Sequence, residues 1–108
     1  MGVDVVLMRV TSQGTSPKRR RRSQLAVIGD ERDVTARKFR DSGKPMLSRV
    51  DPYGDLILSS AEMEQFIAEA APLVIGANEA DAAHLGRILE LARRCRDDSG
   101  TELHFQGD

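Results

Sequence analysis

The segment "TELHFQ", residues 101–106, decides how this chain folds. Leu103 and Phe105 fall on one side of an extended chain, and Glu102, His104 and Gln106 on the other. That period of two predicts a half-buried strand closing the domain. The residues before it read as helices, so the chain ends by returning to a sheet.

Working backward, residues 79–97 predict a helix. Asn78 stands at the cap position, with Glu79 and Asp81 at the positive helix end. Leu85, Ile88, Leu89, Ala92 and Cys95 form one apolar stripe. Arg93, Arg94 and Arg96 suit the last turn, and Gly100 suits the exit. A second helix is predicted over 59–71. Ser59 and Glu62 make a capping box, and Met63, Phe66, Ile67, Ala70 and Ala71 make the stripe. Pro72 predicts a break after it.

Residues 46–58, "MLSRVDPYGDLIL", carry the clearest turn. Asp51, Pro52 and Gly54 take the first, second and fourth places of "DPYG". Apolar residues flank it, which predicts a hairpin with strands near 46–50 and 55–58. Residues 30–42 read either as a short helix capped at Asp30 or as an irregular segment. Residues 3–10 and 24–30 read as strands. Val6, Met8 and Val10 share one face of the first, and Val3, Val5 and Leu7 the other. Apolar residues on both faces predict a central strand.

Between these strands lies "TSQGTSPKRRRRS", residues 11–23. It holds Gly14, Pro17 and no apolar period, which predicts a flexible basic loop. Strands gather early and helices late. The expected class is therefore α+β, one domain over 1–108, with a mostly antiparallel sheet and two helices of the C-terminal half on one face.

The 108 residues suffice for one core. With three Phe and one Tyr, that core is expected to be aliphatic. A single cysteine excludes an internal disulfide and points to a reducing, cytoplasmic setting. No apolar stretch approaches the ~20 residues of a membrane span. The net charge of −1 conceals two unlike halves, +7 over residues 1–50 and −8 over 51–108.

Two surfaces are candidates for function. The first is cationic: Lys18, Arg19, Arg20, Arg21 and Arg22. Clustered cations bind polyanions through counterion release, but no aromatic residue is interleaved for base stacking. The second is acidic: Asp51, Tyr53 and Asp55 at the turn, continued by Glu62, Glu64 and Glu69 on the next helix. A rigid turn presenting Tyr among carboxylates suits a protein partner, and a basic one. Asp51 and Asp55 beside Arg49 and Tyr53 also carry the groups of acid–base chemistry, which keeps a small enzyme as a third reading.

His84, Cys95 and His104 stand far apart in sequence, without metal-ligand spacing, and Cys95 sits in an apolar stripe. His84 lies beside that stripe and His104 on the outer face of its strand. No common nucleotide or hydrolase signature occurs. Neither cofactor nor metal site is expected.

The combination of "DPYGD" (51–55), "MEQF" (63–66) and "FQGD" (105–108) resembles small uncharacterised actinobacterial proteins, over about the last sixty residues. Short acidic bacterial proteins of this kind resemble toxin-neutralising immunity proteins. The resemblance implies a non-catalytic protein-binding module, immunity-like or regulatory. A nucleic-acid-associated protein using residues 18–22 is the alternative.

Overall fold

The computed structural model describes residues 2–12 and 20–107. Four strands form one sheet: β1 (Asp4–Ser12), β2 (Arg20–Ile28), β3 (Asp55–Ser59) and β4 (Thr101–Gln106). Three helices accompany them: α1 (Val34–Arg40), α2 (Met63–Ile75) and α3 (Glu79–Arg96). The strand order is β2-β1-β4-β3, and every neighbouring pair is antiparallel. The class is α+β, as the order of elements predicted.

The closing segment is a central strand. β4 lies between β1 and β3, with Leu7 opposite Leu103 and Leu58 opposite Leu103 from the other side. Leu103 and Phe105 face the helices and are buried, together with Val5, Leu7 and Leu58. α2 brings Met63, Phe66 and Ala70 to this face, and α3 brings Leu85, Ile88, Ala92 and Cys95. Phe39, Phe66 and Phe105 meet at its centre, with ring centroids 5.4 to 6.2 Å apart. The core is thus aliphatic around an aromatic centre rather than wholly aliphatic. Few aromatics does not mean none where they converge, and each large ring buries the most area per residue.

The segment 30–42 contains a helix, α1, and Asp30 does cap it, from further back than expected. Its carboxylate is fully buried and accepts the Thr35 and Ala36 N–H at 3.0 and 3.1 Å. It also accepts the Val3 N–H at 2.9 Å, tying the entry to β1 to the start of α1. Val34 and Phe39, spaced five apart on a short helix, both reach the core.

Three boundaries differ from the sequence reading. No strand forms at 46–50; Leu47–Arg49 is a 3-10 turn. Met46, Leu47 and Val50 are all buried, and that spacing is helical rather than alternating. The "DPYG" turn is present, with Gly54 N–H donating to Asp51 O and Tyr53 N–H to Asp51 Oδ1, but it leads into β3 without a hairpin. β3 instead pairs with β4, which offers a longer apolar register. Second, α2 continues through Pro72 to Ile75. Pro72 is exposed, and the carbonyl it leaves without a partner belongs to exposed Ala68, within reach of water. Third, β1 and β2 extend into the expected loop, pairing up to Ser12 opposite Arg20. Backbone pairing needs no apolar side chain, and a charged edge strand resists further strand addition. Residues 13–19 lie outside the described chain.

Replacing Asp30 by Ala leaves three backbone N–H groups without their acceptor in a buried site. Each such group costs about 1–3 kcal/mol. Urea unfolding at neutral pH should show a loss of at least about 3 kcal/mol; a loss under about 1 kcal/mol would show that the carboxylate is dispensable.

Candidate functional site

All three helices pack on one face of the sheet; the other carries no helix, with Val6 and His104 buried at its centre and Val27 and Ile57 exposed at its edges. Its composition follows from the register. Ile57, His104, Val6 and Val27 form one row across the four strands. Ser59, Glu102, Met8 and Gln24 form the next, and Val10 and Arg22 continue beyond it. Asp55, Gln106 and Asp4 form the row on the opposite side. Val27 and Ile57 are 53% and 45% exposed, one on each edge strand. Leu25 is also exposed, at the register shift where β2 bulges opposite Leu7 and Met8.

The middle of this face is polar but closed. Glu102 Oε1 accepts from Arg22 Nε at 2.9 Å and from His104 Nε2 at 3.0 Å. Burial by itself would raise the Glu102 carboxyl pKa, but these two hydrogen bonds and the charges behind them bring it below the usual range. His104 was expected on the outer face and is there, yet it is buried. Val6 and Ile57 flank it in the row, and Glu102 accepts the hydrogen bond from its Nε2–H.

The expected acidic surface is not continuous. Asp51 is turned inward to the turn backbone, accepting the Tyr53 N–H. Tyr53 is 66% exposed and lines a groove of ≈ 460 Å³ with Arg32, Arg37, Arg40, Asp33 and Asp41, so its surroundings mix both charges rather than continue an acidic surface. Asp55 lies on the helix-free sheet face. Glu62 accepts from Ser59 N–H and Oγ in the capping box and pairs with Arg49. Glu64 lines a separate open groove of ≈ 650 Å³ with Arg96 and Glu102.

Glu69 is withdrawn from the surface. It is buried, and its Oε1 accepts the N–H of Met46 and Leu47 at 2.9 and 3.1 Å. Its place in the heptad-like polar side of α2 gave no hint of this, because the donors come from the 3-10 turn that the sequence disguised as a strand.

The basic run is split. Lys18 and Arg19 lie outside the described residues. Arg20, Arg21 and Arg22 belong to β2, where alternation sends Arg21 and Arg22 to opposite faces. Arg22 is engaged by Glu102. Among the described residues, no group of three or more His, Cys, Asp or Glu is placed to hold a metal ion. Cys95 is buried beneath α3, and burial pushes its thiol pKa up. His84 is buried against Thr35, with Thr35 Oγ1 2.7 Å from Nε2. Among the described residues, no helix is long and apolar enough to cross a membrane.

The apolar residues on both sides of β1 predicted a central strand, and β1 lies between β2 and β4. Ile57 and Val27 could not be assigned to the helix-free face without the strand order. No protein-family model, curated protein or solved structure matches the chain.

Glu69 yields a pH prediction. Burial opposes its ionisation, but hydrogen bonds from Gln65, Leu47 and Met46 and the charge of Lys44 leave its pKa lowered. A lowered folded-state pKa adds stability above the unfolded value, and this stability is lost as pH falls through the folded value. Glu69→Gln should therefore be less stable than the wild type at neutral pH and lose less on going to about pH 3. Urea midpoints at the two pH values check this; parallel losses in both proteins would refute it.

Proposed function

We propose that this chain is a small non-catalytic protein-binding module, toxin-neutralising or regulatory in role, acting in the cytoplasm. The uncovered face of the sheet carries this reading. Ile57 and Val27 are exposed on the two edge strands, either side of buried His104 and Val6, with half-buried Met8 and Val10 in the neighbouring rows. Exposed apolar side chains on a helix-free sheet face beside polar ones suit a protein partner. Asp4 and Asp55, both exposed, stand along one margin of this face. A partner of complementary chemistry is apolar where it meets Ile57 and Val27 and basic at that margin, and opposite charge would speed its association. The one buried thiol, Cys95, is at home in a reducing compartment.

The test places a photo-crosslinking residue at position 27 or 57, with position 90 on the exposed side of α3 as control, in cells of the source organism. A distinct protein captured at 27 and 57 but not at 90 is expected. Once purified, it should bind Ile57→Lys at least about tenfold more weakly than wild type, as for a central interface residue. Capture of the same proteins at all three positions, or of a second copy of this chain alone, would overturn the reading.

The nucleic-acid alternative makes a separate prediction. Contact of residues 18–22 with five phosphates would give a slope of log affinity against log salt of about −4 to −5. Because Arg22 is held by Glu102 and Arg21 faces away from it, duplex DNA binding at physiological salt should be too weak to measure. Steep salt-dependent binding that disappears when Arg19, Arg20, Arg21 and Arg22 become Ser would promote that alternative.

A further inference from the structure

A second concavity lies where the edge strand β2 meets α1 and α3, with Val27 at its border with the helix-free sheet face. It has a volume of ≈ 410 Å³ and is bounded by the end of β2, the start of α1 and the middle of α3. Ile28 and Val34 supply apolar wall; Arg32, His84 and Arg87 supply polar groups. Volumes of this order suit small-molecule ligands.

His84 decides what the cleft can recognise. The residue is only 6% exposed. Its Nε2 is 2.7 Å from Thr35 Oγ1 and 3.6 Å from Asp30 Oδ1, the latter too long for a hydrogen bond. The Asp30 oxygens are occupied by the N–H groups of Val3, Thr35 and Ala36. With the Thr35 hydroxyl as donor, Nε2 accepts. In a neutral imidazole the proton then sits on Nδ1. Nδ1 has no hydrogen-bond partner among the described residues. Among the described residues, no buried side-chain nitrogen or oxygen lacks a partner, so Nδ1 is accessible, and the cleft is what His84 lines.

The ring is kept neutral chiefly by burial. Burial lowers the His84 pKa most. Asp30 and Asp81 favour the imidazolium, whereas Arg87 and Arg32 oppose it. Glu31 also lines the cleft. Arg32 is shared with Asp81 at 3.4 Å, but Arg87 has no ion-pair partner among the described residues. The cleft thus presents an N–H donor and two guanidinium groups beside an apolar wall, and supplies one carboxylate in return.

We propose that this cleft binds a small organic oxyanion, a carboxylate or phosphate ester with a short apolar body, with Arg87 and Arg32 pairing its charge and His84 Nδ1–H donating to it. Guanidinium groups match both oxyanions through charge-assisted hydrogen bonds. The cleft shares Val27 with the edge of the sheet face, but it is read out through His84 and Arg87, which that face lacks, so either proposal can fail alone.

Nitrogen-15 NMR of the two imidazoles tests it, with hexanoate and inorganic phosphate as separate probes and sodium chloride at matched ionic strength as control. In the free protein His84 should be neutral and protonated on Nδ1. Either probe should shift the His84 signals saturably, leave those of His104 in place, and raise the His84 pKa. Saturation by hexanoate at lower concentration than by phosphate would assign the carboxylate with an apolar body; the reverse would assign the phosphate. Arg87→Gln, an exposed change, should weaken the response by roughly tenfold or more, the scale of one lost charge-assisted contact. A His84 protonated on Nε2, shifts no larger than those from sodium chloride, or an unchanged response in Arg87→Gln would each overturn the proposal.

Discussion

The fully buried carboxylate of Asp30 is the constraint on which the arrangement of this molecule depends. It accepts N–H groups from Val3, Thr35 and Ala36, so one side chain joins the lead into β1 to the first turn of α1. A seven-residue helix is too short to persist without tertiary support. Here its first amides are held by Asp30 and its Phe39 is held in the aromatic centre. His84 of α3 closes the same cluster through Thr35. Gly2 fits against the Asp30 carbonyl so closely that a Cβ would collide with it. Two acidic groups, Asp30 and Glu69, thus perform the same task on two irregular segments: each supplies a buried acceptor where backbone donors have no ladder or helix to satisfy them.

That use of carboxylates explains why charge counts misrepresent the surface. The −8 of residues 51–108 includes Glu69 and Asp81, both buried, and Glu62, folded into a capping box. Asp81 gathers Arg32, Arg37 and Lys38 around it. The opposite charges of the two halves of the chain are therefore spent largely on each other within the fold. What the fold leaves exposed is a helix-free sheet face with Ile57 and Val27 at its edges and a small acidic margin, and a cleft at the β2 edge lined by Arg32, Arg87 and Glu31.

Much of the architecture was legible. The alternation of residues 101–106, the stripes of α2 and α3, the cap at Asn78 and the capping box at Ser59 each express a local rule, and each holds. The turn at Asp51 also formed as its residue types required. What failed were inferences that depend on which backbone lies alongside. Met46 to Val50 look extended beside an apolar β3, but β4 takes that edge. Residues 20–23 carry polar and cationic side chains that suggest a loop, yet β1 pairs with them.

The candidate site divides in the same way. Local spacing determined which side chains share a face of each strand, and so that Val6, Met8 and Val10 lie together. Only the tertiary structure decided that this face is the uncovered one, that Val27 and Ile57 extend it, and that Arg22, Glu102 and His104 meet in its middle. The physical reason is range. Periodicity and capping act over a few residues along the chain, whereas Arg22 and Glu102 are 80 residues apart and meet only through the order in which strands pair.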